Sequence, residues 1–169
     1  GNGGTFTEKV VIEDSSVNDA PVGQTFALET SEDSRLTGNV LRGSSDVDGD
    51  KLQVSNFSQP SHGVVVVNKS GEFSYQPAEN FHGTDSFTYT ISDGNGGTFT
   101  EKVVIEVSSV NDAPVGQTFA LETSEDSRLT GNVLQGSSDV DGDELQVSNF
   151  SQPSHGVVVV NKSGEFSYQ

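Results

Sequence analysis

Short runs of alternating apolar and polar residues punctuate this chain, and no stretch places apolar residues at the three- and four-residue spacing of an amphipathic helix. In "GTFTEKVVIEV", Phe99, Val103, Ile105 and Val107 fall on one face, and Thr98, Thr100, Lys102 and Glu106 on the other. "DSFTYTIS" alternates Phe87, Tyr89 and Ile91 with Ser86, Thr88 and Thr90. The cluster Asp93-Gly94-Asn95-Gly96-Gly97 between the two runs is a strong hairpin turn, so they are predicted to pair antiparallel. Further strands are predicted over Gln24–Glu29, Ser34–Leu41, Lys51–Phe57, Gly63–Asn68 and Glu72–Gln76, with turns at Asn68–Gly71 and in "SQPSHG". Seven short strands in about 93 residues imply an all-β, immunoglobulin-like Greek-key sandwich.

The pattern repeats. With an offset of 93, residues 1–76 match 94–169 except for Asp14/Val107, Arg42/Gln135 and Lys51/Glu144. A fixed long period means tandem units. With the boundary at the Val-Asn-Asp-Ala-Pro string, residues 17–109 form one complete repeat. Residues 1–16 are then the last strand of a preceding repeat, and 110–169 an incomplete following repeat lacking its last two strands. A sandwich without that hairpin leaves core side chains and strand edges open. Two readings stand: a window on a longer array, or an end that borrows a strand from another chain. The absence of Met, of a signal peptide and of any membrane-length apolar run is read the first way.

Charge narrows the choice of partner. Asp and Glu number 25 against 8 Lys and Arg, a net charge of -17, which argues against nucleic acid or an anionic membrane surface, and without a membrane-length apolar run no direct insertion into a bilayer is expected. A field of that sign repels itself in a compact fold, and divalent cations neutralise it with few particles. With no Cys there is neither a disulfide framework nor a thiolate metal site.

The acidic residues gather in predicted turns. They lie in "SEDS" (Glu32, Asp33 and again Glu125, Asp126), in "SSDVDGD" (Asp46, Asp48, Asp50 and again Asp139, Asp141, Asp143), at Asp93, and in "VNDAPV" (Asn18, Asp19 and again Asn111, Asp112). Calcium takes about six to eight oxygens, and carboxylates mixed with Asn and main-chain carbonyls supply them. Turn chemistry alone also favours Asp, Asn, Gly and Ser. Against that plainer reading, Asp46 and Asp48 set like charges side by side, which costs free energy unless a cation shares them. Two simpler calcium loops do not fit. An EF-hand opening at Asp46 would need Gly and Glu where Lys51 and Phe57 stand, and "GGTFTEK" lacks the Asp of the β-helix nonapeptide.

The order "SEDS…DVDGD…GEFSYQPAENFHGTDSFTYTISDGNGG…VNDAPV" resembles the cadherin-like repeats strung in long arrays in very large bacterial surface adhesins. The resemblance covers the whole chain. It implies tandem cadherin-like sandwiches with calcium between successive units, in a secreted or surface-anchored protein acting in cell adhesion. It also implies ligand roles. Glu32, helped by Glu79, belongs to the lower end of the complete unit, with Glu125 as the counterpart of Glu32 in the next. Asn111 and Asp112 lie in the linker, and Asp139 and Asp141 at the upper end of the following unit. At the other junction Asn18, Asp19, Asp46, Asp48 and Asp93 bind from above. Ser16 and Ser109 stand where animal cadherin linkers carry a further Asp, and Asn-Asp replaces Asn-Asp-Asn, so one or two ions per junction are expected, with affinity of about 10⁻⁴ to 10⁻³ M. Pro21 and Pro114 bias the linker toward an extended form.

No catalytic constellation is visible, and the chain is read as no enzyme. His62 and His155 are one repeat position and His82 sits in a turn. There is no Cys nucleophile and no Gly-x-Ser-x-Gly elbow. Asn56-Phe57-Ser58 and Asn68-Lys69-Ser70 match the short N-glycosylation pattern. The expected partners are neighbouring repeats of the array. The alternative is a module that itself binds another copy or a glycan, although there is no Trp, and Phe73, Tyr75, Phe87 and Tyr89 fall on inward faces.

Overall fold

A computed structural model describes residues 1–169, which divide into two units, Gly1–Ser109 and Val110–Gln169. All of the regular structure is β. In the first unit the strands are β1 (Phe26–Ser31), β2 (Leu36–Asn39), β3 (Gln53–Phe57), β4 (Gly63–Val67), β5 (Glu72–Pro77), β6 (Gly83–Ser92) and β7 (Thr98–Ser108). One sheet has the order β1-β7-β6-β3 and the other β2-β5-β4. The seven strands are those the alternation predicts, with shifted ends. β2 stops at Asn39 because the Asn39 side chain accepts the Leu41 N–H at 2.8 Å and starts a turn.

Antiparallel β6 and β7 pair from Gly83↔Val107 to Ser92↔Thr98, as the hairpin signal predicts. The other neighbour of β7 is β1, which runs parallel to it from Phe26↔Val103 to Ser31↔Ser108. Between the sheets lie Val40, Val54, Val65, Val67, Phe73, Tyr75, Phe87, Tyr89, Ile91, Val103, Ile105 and Val107, all buried. Two phenols in this core keep hydrogen bonds: Tyr89 donates to the Gln24 carbonyl, and Tyr75 donates to buried Asp85 at 2.7 Å. Burial, reinforced by the Asp85 carboxylate, pushes the Tyr75 phenol well above its ordinary range, and burial also raises Tyr89.

The second unit contains β8 (Leu129–Asn132), β9 (Val158–Val160) and β10 (Glu165–Tyr168) in the order β8-β10-β9, the counterpart of β2-β5-β4. Residues 119–124 and 146–150 repeat the sequences of β1 and β3 yet hold no strand. In the first unit β1 and β3 pair with β7 and β6, and the sequence of that hairpin does not recur after residue 109. Phe119 and Leu121 are exposed, whereas their counterparts Phe26 and Leu28 pack on the core. Residues 1–16, expected as a last strand, likewise carry none and are exposed; both edges of β7, which has the same sequence pattern, are taken by β1 and β6.

Candidate metal centre

The two ends of the first unit are set by the β1-β7 pairing. The Asp93–Gly97 turn opens β7 at one end, while Glu32, just after β1, donates its N–H to the Ser108 carbonyl at 2.8 Å at the other. The string from Ser15 reaches the first end. It is pinned there by a two-way main-chain bridge between Val22 and Ser45, at 2.8 and 2.9 Å, and by Pro21, which is buried.

That bridge lays Asn18 and Asp19 beside the "DVDGD" loop. Asp46 Oδ1 accepts the N–H groups of Asp48 at 2.9 Å and Asp50 at 3.3 Å, and the Asp46 carbonyl accepts the Gly49 N–H at 3.2 Å. Gly49 has φ +78°, a conformation that L side chains rarely adopt. The loop so closed brings Asp46, Asp48 and Asp50 together, each with an oxygen within 4.8 Å of the others. Asp48 Oδ2 accepts the Asp19 N–H at 2.8 Å. Asp50 Oδ2 accepts the Asn95 side-chain amide at 2.8 Å. Asp93, buried, accepts the Asn18 amide on Oδ2 at 2.7 Å and the N–H groups of Asn95 and Gly97 on Oδ1 at 2.7 and 2.9 Å. These donors, the Asn18 amide foremost, hold the Asp93 carboxyl below its usual range. An open cleft of about 500 Å³ is lined by Ser16, Val17, Asn18, Asp48, Asp50 and Asn95.

A metal is implied by this donor set, and one atom tests the fit. Asp46 Oδ2 is buried and has no hydrogen-bond partner, in a loop where the other carboxylates accept protein donors. A carboxylate oxygen removed from water without a partner is costly, and a cation is the partner that three neighbouring anions would accept. Two oxygens on opposite sides of a calcium ion stand about 5 Å apart, so a triad within 4.8 Å is of suitable size.

Of the residues expected as ligands, Asn18, Asp19, Asp46, Asp48 and Asp93 meet at this end. Glu32, buried, and Glu79, exposed, lie in the turns after β1 and β5, where the Asp33 side chain accepts the Asn80 N–H at 3.2 Å. In the second unit the same loop recurs. Asp139 Oδ1 accepts the N–H of Asp141 at 2.9 Å and of Asp143 at 3.4 Å, and Asp141 Oδ2 accepts the Asp112 N–H at 2.6 Å. Asn111 donates to the Asp112 carbonyl at 3.1 Å instead, because the sequence holds no counterpart of Asp93 for that repeat. Glu125 is exposed in its turn. Asp50 and Asn95 were not among the expected ligands. The third Asp of the alternating "DVDGD" was the available signal for one, while Asn95 reads as an ordinary turn residue.

Comparison with known proteins finds related domains. Residues 110–169 match the cadherin-like domain profile. Protein GAMETE EXPRESSED 2 of Arabidopsis thaliana is 38% identical over 79 residues, which are 46% of this chain and 8% of that protein, so the chain spans a small part of it. Among solved structures, the protocadherin gammaB7 EC3-6 cis-dimer aligns with a TM-score of 0.51 and 16% identity over 88% of this chain and 39% of that one, a likeness of fold. A nucleoside hydrolase-related hypothetical protein from Saccharophagus degradans aligns with a TM-score of 0.43 and 23% identity over 53% of this chain and 26% of that one. Domains of the cadherin-like and bacterial Ig kinds are typically extracellular, and cadherin-like domains typically bind calcium. The bacterial Ig domain profile matches residues 18–106, more than half of the sequence, and the chain belongs to that family.

Proposed function

We propose that this chain is part of a calcium-stiffened spacer in an extracellular adhesin, in which a bound ion fastens the string leading into each repeat to the tip of that repeat. The observation that carries the reading is the buried, partnerless Asp46 Oδ2 within a triad of carboxylates. Asp46, Asp48 and Asp50 would supply the charge, and Asn18 and Asp19 would bring the string. Asp93 would act through Asn18, its own oxygens being held by protein donors. Calcium supplies a charge that offsets the repulsion among these carboxylates and joins string to loop through common ligation.

Without the ion, the triad repels itself and the string is left with the Val22–Ser45 bridge and a few hydrogen bonds. The module works in this proposal by reach and rigidity, without catalysis, and its partners are the neighbouring repeats. Glycan binding finds less support, since Phe73, Tyr75, Phe87 and Tyr89 are all buried and offer no stacking platform. Small-angle scattering of the chain in millimolar calcium and in chelator tests the proposal. A narrower spread of dimensions with calcium supports it, and identical curves in both buffers defeat it.

A further inference from the structure

Strand β4 ends its sheet, and its sequence is a hazard there. Ser61–Val67 reads "SHGVVVV", with no Asp, Glu, Lys or Arg in a chain of net charge -17. Val65 and Val67 point into the core, and Val64 and Val66 stand 61% and 62% exposed on the outer face. The ladder to β5 pairs Val64↔Gln76, Val65↔Tyr75 and Val66↔Ser74, and flanking bonds from Ala78 to the His62 carbonyl and from Asn68 to the Glu72 carbonyl fix which residues bond inward. Bonded pairs alternate along an antiparallel ladder, so Val64 and Val66 spend their main-chain groups on β5 while Val65 turns its N–H and C=O outward. An uncharged, valine-rich edge with main-chain groups facing out is a template for another strand.

The Gln59 side chain occupies that place. Its amide nitrogen donates to the Val65 carbonyl at 2.8 Å, and its amide oxygen accepts the Val65 N–H at 3.0 Å. This two-way bond reproduces with a side chain what a residue opposite Val65 on an added antiparallel strand would make. In the first unit the loop is further tied to β6 by the Ser58 N–H, which is bonded to the Thr88 carbonyl at 2.9 Å, and Pro60 is buried, but neither contact is needed for the Gln59 pair. The arrangement recurs in the second unit, where Gln152 makes the same pair of bonds with Val158 at 2.8 and 3.0 Å. It persists there although β6 and β7 have no counterparts, so it belongs to the loop and the edge strand alone.

We infer that the β4 edge is a latent self-association surface, closed by Gln59, whose occupant would be β4 of a second copy paired antiparallel about Val65. The absence of charge along the segment lets two copies meet there despite the acidity of the rest. The near-identity of the repeats places the same strand on every one, so an unguarded edge would always have a partner nearby. The inference is independent of calcium.

Sedimentation velocity on the full chain and on its Gln59→Ala, Gln152→Ala form, in one buffer over a wide concentration range, tests this. The variant, with an open edge on each unit, is expected to gain concentration-dependent species, its average mass rising to twice that of the unsubstituted chain or beyond. Adding Val66→Lys and Val159→Lys is expected to reverse the gain, since charge on an edge strand opposes pairing. A variant that keeps its far-ultraviolet β signal and sediments like the unsubstituted chain overturns the inference, as does self-association that the lysines leave unchanged. Should the alanine form lose its β signal, Gln59→Asn with Gln152→Asn, one methylene too short to reach both Val65 groups, is held to the same two outcomes.

Discussion

Asn18 donates its side-chain amide to Asp93 Oδ2 at 2.7 Å across 75 residues of sequence, joining the string before the first strand to the turn between the last two. The bond makes the string part of the fold and ties its hold to the charge of one carboxylate.

Acid should therefore loosen it. Asp93 titrates below its usual range, so its contribution to stability is complete above the ordinary carboxylate pKa of about 4 and is lost as pH falls through the depressed value. Thermal unfolding of the calcium-free chain between neutral pH and about pH 3 should show a falling midpoint. Asn18→Ala should flatten the fall, and an unchanged slope would contradict the role given to this pair.

Alkali should act on the core. Tyr75 and Tyr89 have raised pKa values, so the stability they lend is present below the ordinary phenol value of about 10 and declines as pH rises above it. Tyr75→Phe would remove the 2.7 Å bond to buried Asp85 and leave that oxygen only the His62 N–H at 3.2 Å. A loss of about 1–3 kcal/mol in denaturant unfolding is expected.

Much of this was legible from alternation. The inward and outward faces of β6 and β7, the turn between them and the gathering of acids in loops follow from residue pattern alone. Three things did not. The parallel pairing of β1 with β7 joins distant segments, for which local pattern carries no register. Asn95 looks like any turn residue until the fold places its amide on Asp50. Gln59, a polar residue in a loop, shows its meaning only when Val65 is seen to face outward.

The two units give an internal comparison of strand formation. Phe26–Ser31 forms β1 against β7, while the same six residues at 119–124 have no such neighbour and no strand. Amide exchange should protect the β1 segment and leave 119–124 fast. Appending a second copy of residues 77–109 after Gln169 should slow the latter by at least tenfold, since a strand edge without a partner has little to hold it.

Asp46→Asn separates the two duties of that side chain. The amide oxygen can still accept the Asp48 and Asp50 N–H groups, while one charge of the triad is gone. In chelator the variant should be as stable as the parent or slightly more so, because a like-charge repulsion is relieved. In calcium at about ten times Kd the parent should gain about 1.4 kcal/mol, and the variant much less.

Calcium binding itself is measured most directly by titration calorimetry on the chain and on its Asp46→Asn, Asp139→Asn form, which alters the triad of both units. The account predicts saturable uptake with Kd of about 10⁻⁴ to 10⁻³ M for the chain, weakened by tenfold or more in the variant. No uptake at millimolar calcium, or equal uptake by both proteins, would contradict it.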